Sequence, residues 1–242
     1  MSKVDFTLIL PCYNEHEHID GSFKKIISEL KKLKLVWEVI LIDDKSKDNT
    51  KEILNKLINK YSKYNIKMYY HAKNMGRGAT VSEGILKAKG LICGYIDIDC
   101  EVSPKYIPHF IKLLNLKKAD LVVARRAYKI EANSLLRYIA SKMYAFLTKL
   151  VFTLPISDSE AGYKFFVRSK IIPVVKKTKD AHWFWDTEII VRSKLSGLRI
   201  KEIPVVFKRR EDKTSTVRIY QDILRYLQSI IILKKELLYE SS

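Results

Sequence analysis

The sequence predicts an α/β fold: a mostly parallel central sheet flanked by helices, followed by a C-terminal amphipathic helix. Short apolar runs alternate with segments of helical periodicity from residue 4 to residue 124, and three of those runs end in polar or acidic residues. Alternating strands and helices pack as a parallel sheet covered on both faces, with the ligand crevice at the carboxyl ends of the strands. At 242 residues the chain holds one such domain with a substantial core.

The first strand, residues 4–10, is a short apolar run ended by Pro11. Residues 19–35 show helical spacing through Phe23, Ile26, Ile27, Leu30 and Leu33. A second strand, 36–42, runs into the acidic pair Asp43 and Asp44, and a helix at 48–61 follows with Asp48 or Asn49 as N-cap. A third strand spans 66–70. Gly76 and Gly78 mark a turn before a helix at 80–88, and a fourth strand at 94–98 ends on Asp97, Asp99 and Glu101. A helix at 104–114 and a strand at 120–124 close the regular half. Beyond it lie a helical segment at 134–152, strands at 163–167 and 200–207, a helix near 187–196 and a long amphipathic helix at 220–239. No repeat, low-complexity tract or linker appears, so residues 1–218 read as one domain with 219–242 as an appended helix.

Composition narrows the class. Apolar content of 47% and charged content of 30% belong to a globular chain. The formal net charge of +18 attracts anions, whether nucleic acid, sugar nucleotide or acidic lipid headgroups. Cys12, Cys93 and Cys100 lack metal-binding spacing and read as reduced, buried thiols of a cytoplasmic protein. The N-terminus enters a strand pattern without the regions of a signal peptide, and no apolar stretch is long enough to cross a bilayer. The longest apolar segment, 135–156, carries Arg137, Lys142 and Lys149 at roughly helical spacing, a pattern suited to lying on a membrane surface.

The candidate chemistry sits at strand ends. Asp97 and Asp99 are two apart at the end of a strand and so address one ion from the same side. Their hard oxygens select Mg²⁺ or Mn²⁺, ions that keep substrate phosphates in their shell, and Glu101 is a third or water-mediated ligand. Asp43 and Asp44 either cap the next helix or accept hydrogen bonds from a base or ribose. Tyr13 and Glu15 offer a stacking ring and an acceptor. The stretch from Asn74 through Gly76 and Arg77 to Gly78 fits neither the P-loop nor the dinucleotide fingerprint, and reads as a simple basic turn or as part of the site. Asp158 and Glu160, and further on Trp183, Phe184, Trp185, Asp186 and Glu188, mix carboxylates with aromatics, as a core or a sugar pocket does. A basic stretch at 208–213 follows a strand directly and suits a diphosphate.

Together, and in this order, these segments resemble the family 2 glycosyltransferases of GT-A fold, whose first half is a Rossmann-like nucleotide-binding unit. Pro11, Tyr13, Glu15, the Asp43–Asp44 pair, Asn74, Gly76, Gly78, Asp97 and Asp99 match the general family. The stretches 133–137, 156–164, 185–188 and 202–205 look like the branch that glycosylates polyprenyl phosphates, such as dolichyl-phosphate mannose or glucose synthases. The resemblance covers residues 4–225.

It implies an inverting, metal-dependent hexosyl transfer from a UDP- or GDP-sugar to a polyprenyl phosphate, peripherally at the cytoplasmic face of the membrane. Pro11, Tyr13, Glu15 and Asp44 would line the base and ribose pocket, with Asn74, Arg77 and Lys213 also on the donor. Asp97 and Asp99 would bind Mg²⁺ or Mn²⁺, with Glu101 where the family often has Gln. Arg125 or Arg126, Arg137 and Ser141 would grip the acceptor phosphate, Arg137 serving catalysis alongside the two aspartates. Asp158, Glu160, Trp185, Asp186 and Glu188 would form the sugar pocket. Three departures stand out: Lys45 replaces a usual Gly, residues 214–216 read Thr-Ser-Thr for Gly-Ser-Lys, and Glu160-Ala161 replace Gln-Cys. A soluble transferase with a sugar or polysaccharide acceptor is the alternative. A basic nucleic-acid-binding protein is remote, because acidic strand ends repel phosphates unless a metal bridges them. Oligomeric state is open.

Overall fold

The computed structural model describes residues 3–128, 135–209 and 219–241, with side chains described throughout these except at 128, 135–142, 219–223 and 241. In chain order the elements are β1 (Phe6–Cys12), α1 (Ile19–Leu30), β2 (Trp37–Asp43), α2 (Thr50–Lys60), β3 (Ile66–Tyr70), α3 (Arg77–Lys87) and β4 (Ile92–Ile96). A 3-10 turn (Pro104–Tyr106) then leads into α4 (Ile107–Asn115), β5 (Leu121–Tyr128), α5 (Leu135–Phe152), β6 (Tyr163–Val167) and α6 (Arg168–Val175). The chain continues through α7 (Trp185–Leu195), β7 (Ile200–Phe207) and α8 (Ile219–Ser241).

The seven strands form one sheet in the order β3-β2-β1-β4-β6-β5-β7. The pairings β1–β2, β1–β4, β2–β3 and β5–β7 are parallel, whereas β6 lies antiparallel between β4 and β5. The mostly parallel expectation holds, with one reversed strand at the centre. Pro11 does not end β1. It pairs with Ile42 of β2, past Ile9, the last β1 residue paired with β4, so its missing N–H falls where β1 has outrun that neighbour.

Side chains alternate across the sheet, which splits the core in two. Phe6, Leu8 and Leu10 of β1 pack with α1, α2 and α4 on one face. Ile9, Ile40, Cys93, Tyr95 and Phe166 pack with α3, α6 and α7 on the other. The helical pattern of α1 ends at Leu30 rather than residue 35, because Leu33 and Leu35 keep packing on the core from a loop. The eight-residue α6 escapes sequence reading, being short and interrupted by Pro173. Helix α8 docks through Ile230 and Leu233, its Tyr226 ring lies 4.7 Å from Tyr144 of α5, and Arg192 of α7 bonds both Glu236 and Glu240 at 3.0 Å.

Candidate active site

The carboxyl ends of β1, β2 and β4 open on the same edge of the sheet, and the loops leaving them are stitched together. Asn14 N donates to Ser46 Oγ at 2.9 Å, Lys47 N to Asn14 Oδ1 at 2.8 Å, and Glu15 N to Thr50 Oγ1 at 2.8 Å. Tyr13 is exposed above this junction, Glu15 is half-buried and Pro11 is buried. Asp43 accepts from the hydroxyl and the N–H of Ser46. Lys45 takes φ +62°, the conformation that glycine adopts freely, so the turn keeps its shape at a cost of about 1–2 kcal/mol.

Asp44 has a different task from its neighbour. Its Oδ1 accepts from Met75 N at 2.7 Å and its Oδ2 from Gly76 N at 2.9 Å, while Asn74 Nδ2 donates to its carbonyl at 3.0 Å. His71 Nδ1 lies 2.6 Å from Asp44 Oδ1, and His71 Nε2 lies 3.0 Å from Glu83 Oε2. Burial lowers the pKa of His71, but the bonds to Asp44 and Glu83 outweigh burial and raise it. Asp44 thus shapes the 74–76 loop, and Gly76, at φ +95°, turns that loop against Ala181 and His182.

The end of β4 carries the densest electrostatics. Arg77 donates from Nε (3.0 Å) and Nη2 (2.6 Å) to Asp97 Oδ1, and from Nη1 to Asp186 Oδ2. Asp186 Oδ1 accepts from the Tyr95 hydroxyl and from Lys164 Nζ at 2.5 Å, and Lys164 also reaches Ala161 O at 2.6 Å. Lys164 is 0% exposed. A chain of alternating charge therefore runs from the interior to the crevice: Lys164, Asp186, Arg77, Asp97. Burial raises the Asp186 carboxyl, yet Arg77 and Lys164 hold it below its ordinary value; burial lowers the Lys164 ammonium more than Asp186 restores it. At Asp97 burial dominates and the carboxyl is raised despite Arg77, with Asp99 adding to the rise.

Asp97 and Asp99 both sit at this tip, half-buried, and Asp97 N donates to Gly162 O at 3.0 Å. The expected third ligand does not join them. Among the described residues no group of three or more His, Cys, Asp or Glu is placed to hold a metal ion. After Asp99 the chain turns at Cys100 (φ +56°). Glu101 N then folds onto Asp99 Oδ1 at 3.2 Å and Glu101 O accepts from Lys208 N at 2.9 Å, which draws Glu101 toward the end of β7. Two hard carboxylates still suit Mg²⁺ or Mn²⁺, ions that take one or two protein carboxylates and fill the remaining shell with phosphate and water.

The expected sugar pocket is rearranged. Helix α7 is buried from Trp185 to Ser193, a central helix whose polar groups must pair internally. Trp185 packs edge-on against Tyr95 at 5.7 Å and donates Nε1–H to Ser82 Oγ at 2.8 Å. Glu188 accepts from Asp180 N at 2.8 Å and pairs with Arg192 at 2.6 Å. Neither side chain opens on the crevice. Trp183 does: it is 55% exposed, and the Arg77 guanidinium lies 5.2 Å from its ring centre.

Of the residues expected to meet an acceptor, Arg126 binds Asp158 through Nε (2.8 Å) and Nη2 (2.9 Å), with Glu160 3.6 Å away. Arg125, next along the strand and on its opposite face, is exposed. Glu202 fixes the Asp158 turn by accepting from Ser157 N, Ser157 Oγ and Asp158 N, each at 2.8 Å. The side chains of Arg137 and Ser141 lie outside the described ones, as does Lys213 with residues 214–216. Arg209 is exposed just after β7.

Sequence reasoning missed Tyr95 and His71, and it took in Gly162, Lys164 and Trp183 only as members of longer stretches, without a role of their own. For Lys164 one signal was available: a lysine within the apolar run Tyr163–Val167 of a doubly covered sheet needs a buried partner.

The family model for glycosyl transferase family 2 matches residues 7–173. The glycosyltransferase AglD of Haloferax volcanii is 26% identical over 225 residues, covering 91% of this chain and 35% of that protein. Dolichyl-phosphate β-glucosyltransferases of Trichomonas vaginalis and Dictyostelium discoideum are 27% and 26% identical, covering 84% and 93% of this chain and 66% and 74% of theirs. The chain thus spans about a third of the Haloferax relative and about two thirds of the Trichomonas one. Among solved structures, glucosyl-3-phosphoglycerate synthase from Mycobacterium tuberculosis with Mn²⁺, UDP and glucosyl-3-phosphoglycerate superposes with a TM-score of 0.66 at 13% identity, over 95% of this chain and 78% of that one. S. aureus TarS with UDP-GlcNAc gives 0.60 at 16%, over 95% and 66%. At such identities the likeness speaks for the fold alone.

Proposed function

Since this chain belongs to glycosyl transferase family 2, we propose that it moves a sugar, with inversion, from a UDP- or GDP-sugar to a polyprenyl phosphate of the dolichyl type at the cytoplasmic face of a membrane. The observation that carries this reading is the Arg77–Asp97 pair at the tip of β4, with Asp99 two residues on, facing the nucleoside-side loops after β1 and β2. Asp97 and Asp99 are the residues that would hold Mg²⁺ or Mn²⁺, which when bound supplies positive charge against the departing diphosphate. Arg77 adds a fixed cation beside them.

An acceptor phosphate oxygen attacks the anomeric carbon while the bond from that carbon to the diphosphate breaks, its electron pair leaving with the nucleoside diphosphate. A phosphate monoester is largely ionised near neutral pH, so no strong base is required. Asp186 fits that economy, because Arg77, Lys164 and Tyr95 occupy it.

The likeness to two dolichyl-phosphate β-glucosyltransferases supports the lipid acceptor. Among the described residues no helix is long and apolar enough to cross a membrane. Met143, Phe146 and Leu150 on α5, and Leu224, Ile231 and Leu238 on α8, nevertheless face outward. These faces suit peripheral contact, helped by the +18 charge.

The test is a panel of UDP- and GDP-sugars with dolichyl and undecaprenyl phosphate, with and without Mn²⁺. Metal-dependent transfer to a polyprenyl phosphate is expected. Transfer only to water-soluble sugar acceptors overturns the lipid reading, and no transfer from any donor overturns the whole. Flotation with anionic liposomes, weakened by high salt, checks the membrane contact.

A further inference from the structure

We propose that Trp183 is the platform on which the donor's sugar ring stacks, and that it sets how strongly this chain prefers a sugar nucleotide over the bare nucleotide. The proposal rests on the nucleotide-sugar reading above and names the sugar subsite within it.

Trp183 is more than half exposed, and it is held in place rather than loose. Asp180 Oδ1 accepts from His182 N at 2.8 Å and from Trp185 N at 3.0 Å, closing the turn that displays Trp183. That turn is locked from beneath. Ala79 N donates to Ala181 O at 3.0 Å, and a methyl on Gly76 or Gly78 would overlap Ala181 and His182 or Trp185. Two residues later the chain is anchored by Trp185 in the core. The indole of Trp183 is thus presented on a rigid support, which limits the ordering cost of a ligand.

Its neighbours select the ligand. Arg77 lies 5.2 Å from the Trp183 ring centre and bonds Asp97, so the ring adjoins the group placed at the diphosphate. The nucleoside-side loops lie over β1 and β2, and the sheet continues from β1 through β4 to β6. A sugar joined to a diphosphate at the β4 tip and pointing away from the nucleoside meets this side of the crevice. Sugar rings combine an apolar C–H face with hydroxyls around the rim. An indole face beside Arg77 matches the first, and half-buried Glu160, two residues before the Gly162 that abuts Asp97 and Arg77, is an acceptor for the second.

Binding of UDP-glucose, UDP, GDP-mannose and GDP is measured by calorimetry on the wild-type chain and on Trp183→Ala and Trp183→Phe. Trp183 is exposed, so neither substitution threatens the core. With whichever sugar nucleotide the wild type binds, Trp183→Ala is expected to weaken it about tenfold while shifting the matching nucleoside diphosphate less than about twofold, and Trp183→Phe to restore most of the loss. Equal weakening of both ligands overturns the platform, since Trp183 would then act through Arg77 on the diphosphate. No weakening of either also overturns it. If the wild type binds the nucleotides but gains nothing from the sugar, the platform fails and the donor site stands. If it binds none of the four, the donor reading fails and takes the platform with it.

Discussion

Gly162 and Asp97 meet so closely that the simplest side chain cannot be placed between them: a methyl at 162 would overlap the Asp97 carboxylate and come within 2.5 Å of Arg77 Nη2. The start of β6 therefore sets where the Asp97–Arg77 pair stands. Gly162→Ala is predicted to lower turnover about hundredfold by displacing that pair, because misplacement on the ångström scale is enough to do so. Steady-state kinetics alongside circular dichroism checks it; near-normal turnover with a normal spectrum would show that the carboxylate has room to move.

Lys164 and Asp186 form a buried ion pair that holds Arg77 from behind. Lys164→Met removes one cation from a carboxylate 2% exposed and is predicted to cost about 3–5 kcal/mol in chemical denaturation. Adding Asp186→Asn is predicted to recover part of that loss, since the uncompensated charge goes with it, and the double-mutant cycle measures the coupling. The pH sense follows from Asp186, whose folded pKa is depressed: its contribution is present above the unfolded carboxyl value and is lost as pH falls through the folded one. Additive costs in the cycle would count against a coupled pair.

Strand ends were readable because each apolar run gives way to polar or acidic residues, and β1, β2 and β4 form where that pattern places them to within a few residues. What stayed hidden is tertiary. Lys164 and Asp186 are 22 residues apart and Arg77 and Asp186 are 109 apart, so no local pattern announces their pairing. The reversed β6 was equally invisible, since a strand's direction depends on how the chain returns after α5. Trp183 and Trp185 differ only in which side of one turn they occupy, and a run of three aromatics does not reveal which ring the core takes.

His71 bridges Asp44 and Glu83, and Lys87 Nζ lies 3.7 Å from Glu83 as the nearby cation. Its folded pKa is raised above the usual imidazole value, so its stabilisation is complete below about pH 6.5 and fades as pH rises through the folded value. His71→Phe is predicted to lower the Tm most in mildly acidic buffer and progressively less toward about pH 9. A Tm difference constant across that range would mean the protonated imidazole plays no part.

Asp99 lies half-buried at the β4 tip, where its Oδ1 accepts a long, 3.2 Å hydrogen bond from Glu101 N. Asp99→Ala is predicted to abolish turnover while leaving Tm within a degree or two of wild type, and to weaken Mn²⁺ binding in the presence of UDP. Calorimetry reads the metal directly, so loss of turnover with unchanged Mn²⁺ binding would move the ion elsewhere.

Arg125 and Arg126 are neighbours on β5 with opposite fates, and they separate support from recognition. Arg126 spends its guanidinium on Asp158, which the Glu202-bound turn holds in place. Arg126→Met is therefore predicted to cost about 1.5–3 kcal/mol of stability, the range for a charged hydrogen-bonded partner. Arg125 is exposed, and replacing it by Met removes a cation without opening the core. Arg125→Met is predicted to raise the KM for polyprenyl phosphate about tenfold while leaving the donor KM and the Tm unchanged, because an accessible arginine contributes to phosphate binding more than to folding. If the acceptor KM instead rises only in Arg126→Met, with Tm intact, the Asp158 pair must open during binding and the roles of the two arginines exchange.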